Sequence, residues 1–353
     1  MPVSISGTNG VTFPDNSLQA AAASPYVLKN RIINGAMQIN QRGFSGAPPS
    51  DTAYTLDRWS ARQSAGSKFT FAQSSTAPAG YINSLLVTSS SAYSISSGDY
   101  FAVVQPIEGL NISDFAWGTA SAKTITLSFQ VYSSLTGTFG GALSNSASNR
   151  SYPFTYTISS ANTWTSISIT IPGDTSGTWI TTNGVGVYVY LGLGVGSTYS
   201  GTAGSWSGGT YLSATGATSV VGTNGATWYI TGVQLEVGST ATPFERRLYN
   251  QELANCQRYY QVVGAGGAGR AFNTTNFEAA VSLRVDMRTS PTATVINDSN
   301  NIAYPGIASY TTTSLASYVA TTTGVALNLV SSGLTSGATM ITYARVAALS
   351  AEL

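Results

Sequence analysis

The chain has 353 residues, 42% hydrophobic and 11% aromatic, which is enough apolar side chain for two cores and argues against disorder. Fifteen Lys plus Arg against fourteen Asp plus Glu leave a net charge of +1, so no field is available to capture a polyanion, and nucleic acid is not expected as a partner. With no His and one Cys, a His-dependent triad and an intrachain disulfide are excluded, and no metal or cofactor is expected.

Residues 1–23 lack the basic start and apolar run of a secretion signal, and no stretch is apolar enough to insert in a membrane. Residues 1–26 carry turn formers at Asn9-Gly10 and Pro14-Asp15-Asn16 and too few apolar residues for their own core. They are expected to order against a partner, as an attachment and oligomerisation segment. The alternative is a flexible tail.

Period-two alternation dominates residues 27–241. Ile125, Leu127, Phe129 and Val131 alternate with Thr and Ser, as do Ile167, Ile169 and Ile171, while Val185, Val187, Val189 and Leu191 face Gly and Tyr. Shorter strand-like runs lie at 68–72, 85–88, 100–105, 154–158 and 228–237, with turn signals between them and no helical crossovers, which predicts an antiparallel β-sandwich.

One linking helix is expected over 242–263. Thr242 would cap it, Pro243 would take its first position, Glu245 would close a capping box, and Phe244, Leu248, Leu253, Cys256 and Tyr260 would share one face. Cys256 reads there as a small buried hydrophobe. The glycine-rich stretch 264–269 reads as a hinge or linker. Residues 264–353 alternate again, at Val281, Leu283, Val285 and Met287 and at Val325, Leu327 and Leu329, predicting a second, smaller C-terminal β-sandwich. No fixed-period repeat supports a solenoid.

Several residues are candidates for chemistry, each with a structural competitor. Asp57-Arg58-Trp59 offers a stacking ring beside a carboxylate, or else a buried Trp with an internal ion pair. Glu108 and Glu236 pose the same choice. Asp174, in a Gly-Asp-Thr-Ser-Gly turn, is one acid where a Ca²⁺ cage needs several. Hydrolysis of a glycan would need two converging carboxylates, and Asp51 with Asp57 or Glu108 with Asp114 are the pairs to check. The stretch 192–225 is rich in Gly, Ser and Thr and carries Tyr199, Trp206 and Tyr211, flat rings among short hydroxylated residues that suit a ligand as well as a subunit contact. In the last domain Tyr304, Tyr310 and Tyr318, with the polar turn Asn297, Asp298, Asn300 and Asn301, form a second ligand candidate.

Three stretches carry a family resemblance: LKNRIINGAMQINQRG at 28–43, TLDRW at 55–59, and GVQLEVG at 232–238 leading through TPFE at 242–245 to CQRYY at 256–260. Together they resemble the carbohydrate-binding-module-like jelly roll of bacteriophage tail-fibre and other virion structural proteins. GVTFPDNSLQ at 10–19 is similar to a leader on phage fibre proteins, with Asn16 where that leader has Gly. The resemblance covers about the first three quarters of the chain and implies an all-β fold: an antiparallel jelly-roll β-sandwich, a linking helix and a smaller sandwich. It implies a virion fibre or adhesin subunit, a tail fibre first of all, that attaches to host-surface glycan without catalysis. A purely structural head or collar fibre and a capsular polysaccharide depolymerase are the alternatives. It further implies a homotrimer whose amino-terminal Val11, Phe13, Pro14, Asp15 and Leu18 meet other virion proteins, while the last domain points outward to the host.

Overall fold

The alternation read from the sequence places every second side chain of each strand in a core. The computed structural model describes all of the chain except residues 1–3, 7–9, 13–17, 20–27, 265, 297–301, 305–307 and 343. Strands Ser4–Ser6, Gly10–Thr12 and Leu18–Gln19 form a three-stranded antiparallel sheet, with Ile5 opposite Val11 and Val11 opposite Gln19. Val11 and Leu18 thus stand on paired strands. Phe13, Pro14 and Asp15 lie outside the described residues.

The first sandwich packs two antiparallel sheets face to face. One runs, in spatial order, Ser151–Ile158, Gly137–Ser144, Val185–Val195, Tyr100–Glu108 and Ser60–Gln63. The other runs Thr165–Ile171, Ile125–Ser133, Thr227–Val237, Ser84–Ser89, Phe69–Ser74 and Ser45–Gly46. Ile125, Leu127, Phe129 and Val131 point inward against Val187, Val189 and Leu191, in a core that also holds Trp59, Trp117, Trp179 and Trp228. This is the expected jelly-roll sandwich.

The second sandwich faces a seven-stranded sheet with a three-stranded one. The larger runs Ala308–Tyr310, Ile302–Tyr304, Thr339–Thr342, Ala268–Ala271, Asn276–Ser282, Gly324–Val330 and Ser314–Ala320; the smaller is Tyr260–Val263, Ala347–Ser350 and Thr292–Val295. Phe277, Leu327, Leu329, Met340 and Leu349 fill its core. Of the expected run Val281, Leu283, Val285 and Met287, only Val281 is in a strand. The rest is diverted because the buried Gln261 side chain binds its backbone, donating to the Val285 carbonyl (2.7 Å) and accepting from the Arg284 N–H (3.0 Å).

The helix is shorter than the sequence suggests, spanning Tyr249–Gln257 with Leu248 at its N-cap and no side-chain cap. The capping-box residues have tertiary partners instead. Thr242 donates its backbone N–H and its hydroxyl to Glu236, while Glu245 accepts the backbone N–H groups of Lys29 and Asn30. Arg247 donates to the carbonyls of Asn30 and Ile32 and pairs with Glu252 (3.1 Å). An extended strap therefore precedes the helix, and Tyr260 lies past it in a strand. Cys256 is buried in the helix as expected. Burial, followed by the carboxylates Asp57 and Glu252, pushes its thiol pKa well up. Of the stretch expected as a hinge, residues 268 and 269 belong to strand Ala268–Ala271, and a Cβ at Gly264 would lie 2.1 Å from the Ala344 carbonyl oxygen.

The carboxyl terminus returns to the first sandwich. Glu352 takes Arg42 (2.8 Å) and Arg58, and the Tyr54 hydroxyl donates to the Leu353 carbonyl (3.0 Å). Arg58 sits in the left-handed region (φ 68°), 1% exposed, with its guanidinium carbon 3.7 Å from the Tyr259 ring centre and a second bond to the Pro106 carbonyl.

Candidate functional site

Most of the sequence candidates in the first sandwich are framework. Trp59 is fully buried and donates to the Asn34 carbonyl, while Asp57 accepts Gln41 N–H groups and lies 3.8 Å from Arg42. Burial nonetheless moves the Asp57 carboxyl pKa upward, against the opposing pull of Arg42. Glu108, 1% exposed, binds Arg258 through two bonds (2.7 and 3.0 Å) and the Tyr259 hydroxyl (2.6 Å). Glu236 serves Thr242 and Gln234. Asp174 is buried in a two-bond pair with Arg150 and accepts the Ser176 N–H, so it organises a turn.

The stretch 192–225 divides. Trp206 turns to one end of the sandwich, where its ring centre lies 5.2 Å from Trp117 and 5.3 Å from both Trp179 and Tyr152, and it donates to the Pro172 carbonyl. That leaves it as packing. Tyr199 and Tyr211 instead fold over the outward face of the five-stranded sheet. The Leu212 N–H donates to the Tyr199 carbonyl (2.8 Å), and Ser200–Gly201 pairs in parallel with Ser213–Ala214. Gly201 and Gly209 make room for the Tyr211 ring, since a Cβ on either would lie 2.4 Å from it.

On that face, register brings Tyr190 beside Val104 and Ala142, and Tyr188 beside Pro106 and Ser144. Arg62 stands on the edge strand opposite Ala102. Tyr199 meets Tyr100 edge to face (5.3 Å between ring centres, 82°), and Tyr188 stacks near Tyr190 (5.5 Å, 28°). Arg62 covers the Tyr100 ring at 5.2 Å and pairs with Asp51 (3.0 Å), which also lies 3.3 Å from the Tyr100 hydroxyl.

Together Arg62, Tyr100, Tyr190, Tyr199 and Tyr211, with Ser144, Ser148, Thr210 and Leu212, line a cleft of about 220 Å³. Burial, opposed by Arg62, pushes the Tyr188 and Tyr190 phenols up, so both stay protonated donors. Burial also works against the Arg62 charge, but Tyr190 and Asp51 outweigh it and its pKa rises. The arrangement offers flat apolar rings with hydroxyls at their rims, a fixed cation and short hydroxylated side chains.

Two other clefts are larger. One of about 350 Å³ borders the helix, but there Glu245, Arg247 and Glu252 are bound to one another and to residues 29–34. Another of about 440 Å³ lies on the seven-stranded sheet and contains Tyr318. The terminal candidates fall on several elements. Tyr310 packs half-buried against the second core, Tyr318 is on the outermost strand, and Tyr304 ends strand Ile302–Tyr304. Asn297 and Asp298 lie outside the described residues.

No family model matches the chain, and no curated protein matches it. Solved structures similar to it include the enzymatically active domain of tailspike protein 4 of bacteriophage CBA120 (11% identity, TM-score 0.33), over 59% of this chain and 21% of the tailspike chain. They also include a putative sugar binding protein from Bacteroides thetaiotaomicron (12%, TM-score 0.35, 60% of this chain and all of the other). A third is a family 11 carbohydrate-binding module from Clostridium thermocellum in complex with a mixed-linked tetrasaccharide (13%, TM-score 0.29, 56% and 98%).

Proposed function

We propose that the chain is a phage virion fibre or adhesin subunit that holds a host-surface glycan in the tyrosine cleft and does not cleave it. The observation that carries this reading is the convergence of Tyr199 and Tyr211, from one loop, with Tyr100, Tyr190 and Arg62 from three strands, Arg62 being held by Asp51 from a turn. Pyranose rings have apolar faces that pack on aromatic rings and equatorial hydroxyls that take bonds from groups at their rims. The resemblance of residues 28–43, 55–59 and 232–260 to virion fibre proteins supports the setting. It also supports a homotrimer that joins the particle through its amino-terminal segment.

Binding without cleavage is favoured by how the acids are used. Asp51, Asp57, Glu108 and Asp114 each face an arginine, respectively Arg62, Arg42, Arg258 and Arg31, and Asp57 and Glu108 are buried. The test is a screen of the full-length protein against surface polysaccharides of candidate hosts. One class of glycan should bind, with no reducing ends released, and Tyr199→Ala should weaken binding while leaving the melting curve intact. Binding that is indifferent to Tyr199→Ala and Tyr211→Ala would remove the cleft from this role.

A further inference from the structure

An antiparallel sheet that rests on a core by one face ordinarily shows water a polar second face. Three rows on the outer side of the six-stranded sheet of the first sandwich are polar: Ser166, Gln130 and Thr231; Ser168, Ser128 and Gln234; Thr170, Thr126 and Glu236. The seven-stranded sheet of the second carries an apolar row on its outer side. Register aligns Ile341, Ala268, Ala280, Ala326 and Val319 side by side across five adjacent strands, on the face opposite Phe277, Leu327 and Leu329. At about 4.8 Å between strands this apolar row spans about 19 Å. Its alanines are exposed and Val319 is 72% exposed.

The neighbouring row is Thr339, Arg270, Glu278, Asn328 and Ser317. Arg270 and Glu278 sit opposite each other on adjacent strands, yet neither is in an ion pair among the described residues. In the first sandwich Arg31, Arg42, Arg62, Arg150 and Arg258 each face a carboxylate. The two rows border the cleft of about 440 Å³, whose floor of small side chains lets another surface come close.

We propose that this face is where copies of the chain pack against one another, the apolar rows meeting and Arg270 of each copy pairing with Glu278 of another. Charge chooses this occupant. The face carries one guanidinium and one carboxylate, so it is neutral and complementary to the same face of another copy, Arg270 of one meeting Glu278 of the next. A charged partner would find no excess charge to bind, and the row itself offers a sugar no aromatic ring.

The proposal is independent of the tyrosine cleft, and its test uses the full-length protein in sedimentation velocity across micromolar concentrations. The unaltered chain associates. Arg270→Glu, Glu278→Arg and Val319→Asp each weaken association at least about tenfold, with unchanged circular dichroism and unchanged glycan binding. A chain with Arg270→Glu presents two carboxylates and one with Glu278→Arg two guanidiniums, so a 1:1 mixture of the two associates again. Within a single chain these substitutions only create repulsion, and mixing relieves it only if the pairing is between copies. A monomeric unaltered chain, folded variants that associate as before, or a mixture that stays apart would each overturn the proposal. So would Arg270→Glu abolishing adsorption to cells while leaving association unchanged, since the face would then belong to a receptor.

Discussion

The two sandwiches obey the same period-two rule and spend their side chains differently. The first fills its core with tryptophan and phenylalanine and ties its arginines to specific acids, Arg62 to Asp51, Arg150 to Asp174 and Arg258 to Glu108. The second has one fully buried phenylalanine, Phe277, among smaller residues, and among the described residues Arg270 and Glu278 have no ion-pair partner in the polar row beside its exposed apolar one. Large rings bury more area per residue, so the first core stands on its own packing. The second gains from what lies outside it, namely the clamp at Glu352 and the face across its seven strands. Open surface follows the same division: the first sandwich shows rings and hydroxyls suited to a polar ligand, the second a stripe suited to protein.

Cutting the clamp should have the largest effect. Glu352→Ala leaves Arg58, 1% exposed, without its carboxylate, and breaking a buried ion pair from one side costs about 3–5 kcal/mol. Calorimetry should then resolve two transitions, the second sandwich melting first, where the unaltered chain shows one. A single transition at the original temperature would mean the clamp is not what couples them. Next comes the smaller core itself. Leu327→Ala, within the second cluster, should cost about 2–5 kcal/mol in denaturant titration and leave glycan binding at the first sandwich intact. Third, Tyr188→Ala removes a ring stacked beside Tyr190 and should weaken glycan binding about tenfold, ~1.4 kcal/mol, with no change in sedimentation. The second and third variants separate the two halves of the molecule, one losing stability and the other a ligand.

Strands were legible in the sequence because burial on one face imposes alternation. Val187, Val189 and Leu191 named one core face, and the tyrosines between them the outward one, whereas Val185 lies across a bulge, opposite Glu108 and outside the core cluster. Half of the site was legible too, since Tyr199 and Tyr211 stand among Gly, Ser and Thr with little aliphatic company. Arg62 and Tyr100 were not, because strands distant in sequence become neighbours only through register. Trp206 shares the composition of its loop and yet turns into an aromatic cluster, a choice set by Trp117 and Trp179 far away in sequence. The Thr242-Pro243-Phe244-Glu245 signature failed for a related reason. Its hydroxyl and carboxylate suit a helix end, but Glu236, Lys29 and Asn30 claim them first.

The smallest expected effect concerns acid and the rim of the tyrosine cleft. Asp99 accepts the Ser96 N–H (2.8 Å) and the hydroxyls of Ser64 (2.9 Å) and Tyr93 (3.2 Å), and Ser64 in turn accepts the Tyr100 N–H (3.1 Å). The Ser96 N–H is the main reason that the Asp99 carboxyl is held below its ordinary value of 3.8; burial opposes it, and the Ser64 and Tyr93 hydroxyls add to the lowering. A carboxylate with a depressed folded pKa stabilises the fold above its unfolded value, and that contribution is lost as pH falls through the folded one. Melting temperature should therefore slope gently downward as pH falls below about 4, and glycan affinity with it, since Asp99 braces Ser64, which binds the Tyr100 N–H. Solvent screens so exposed a group, so the slope is shallow beside the loss from Glu352→Ala. Asp99→Asn should remove this slope and leave the behaviour at neutral pH almost unchanged. An acid slope that persists in Asp99→Asn would show that it does not arise at this carboxylate.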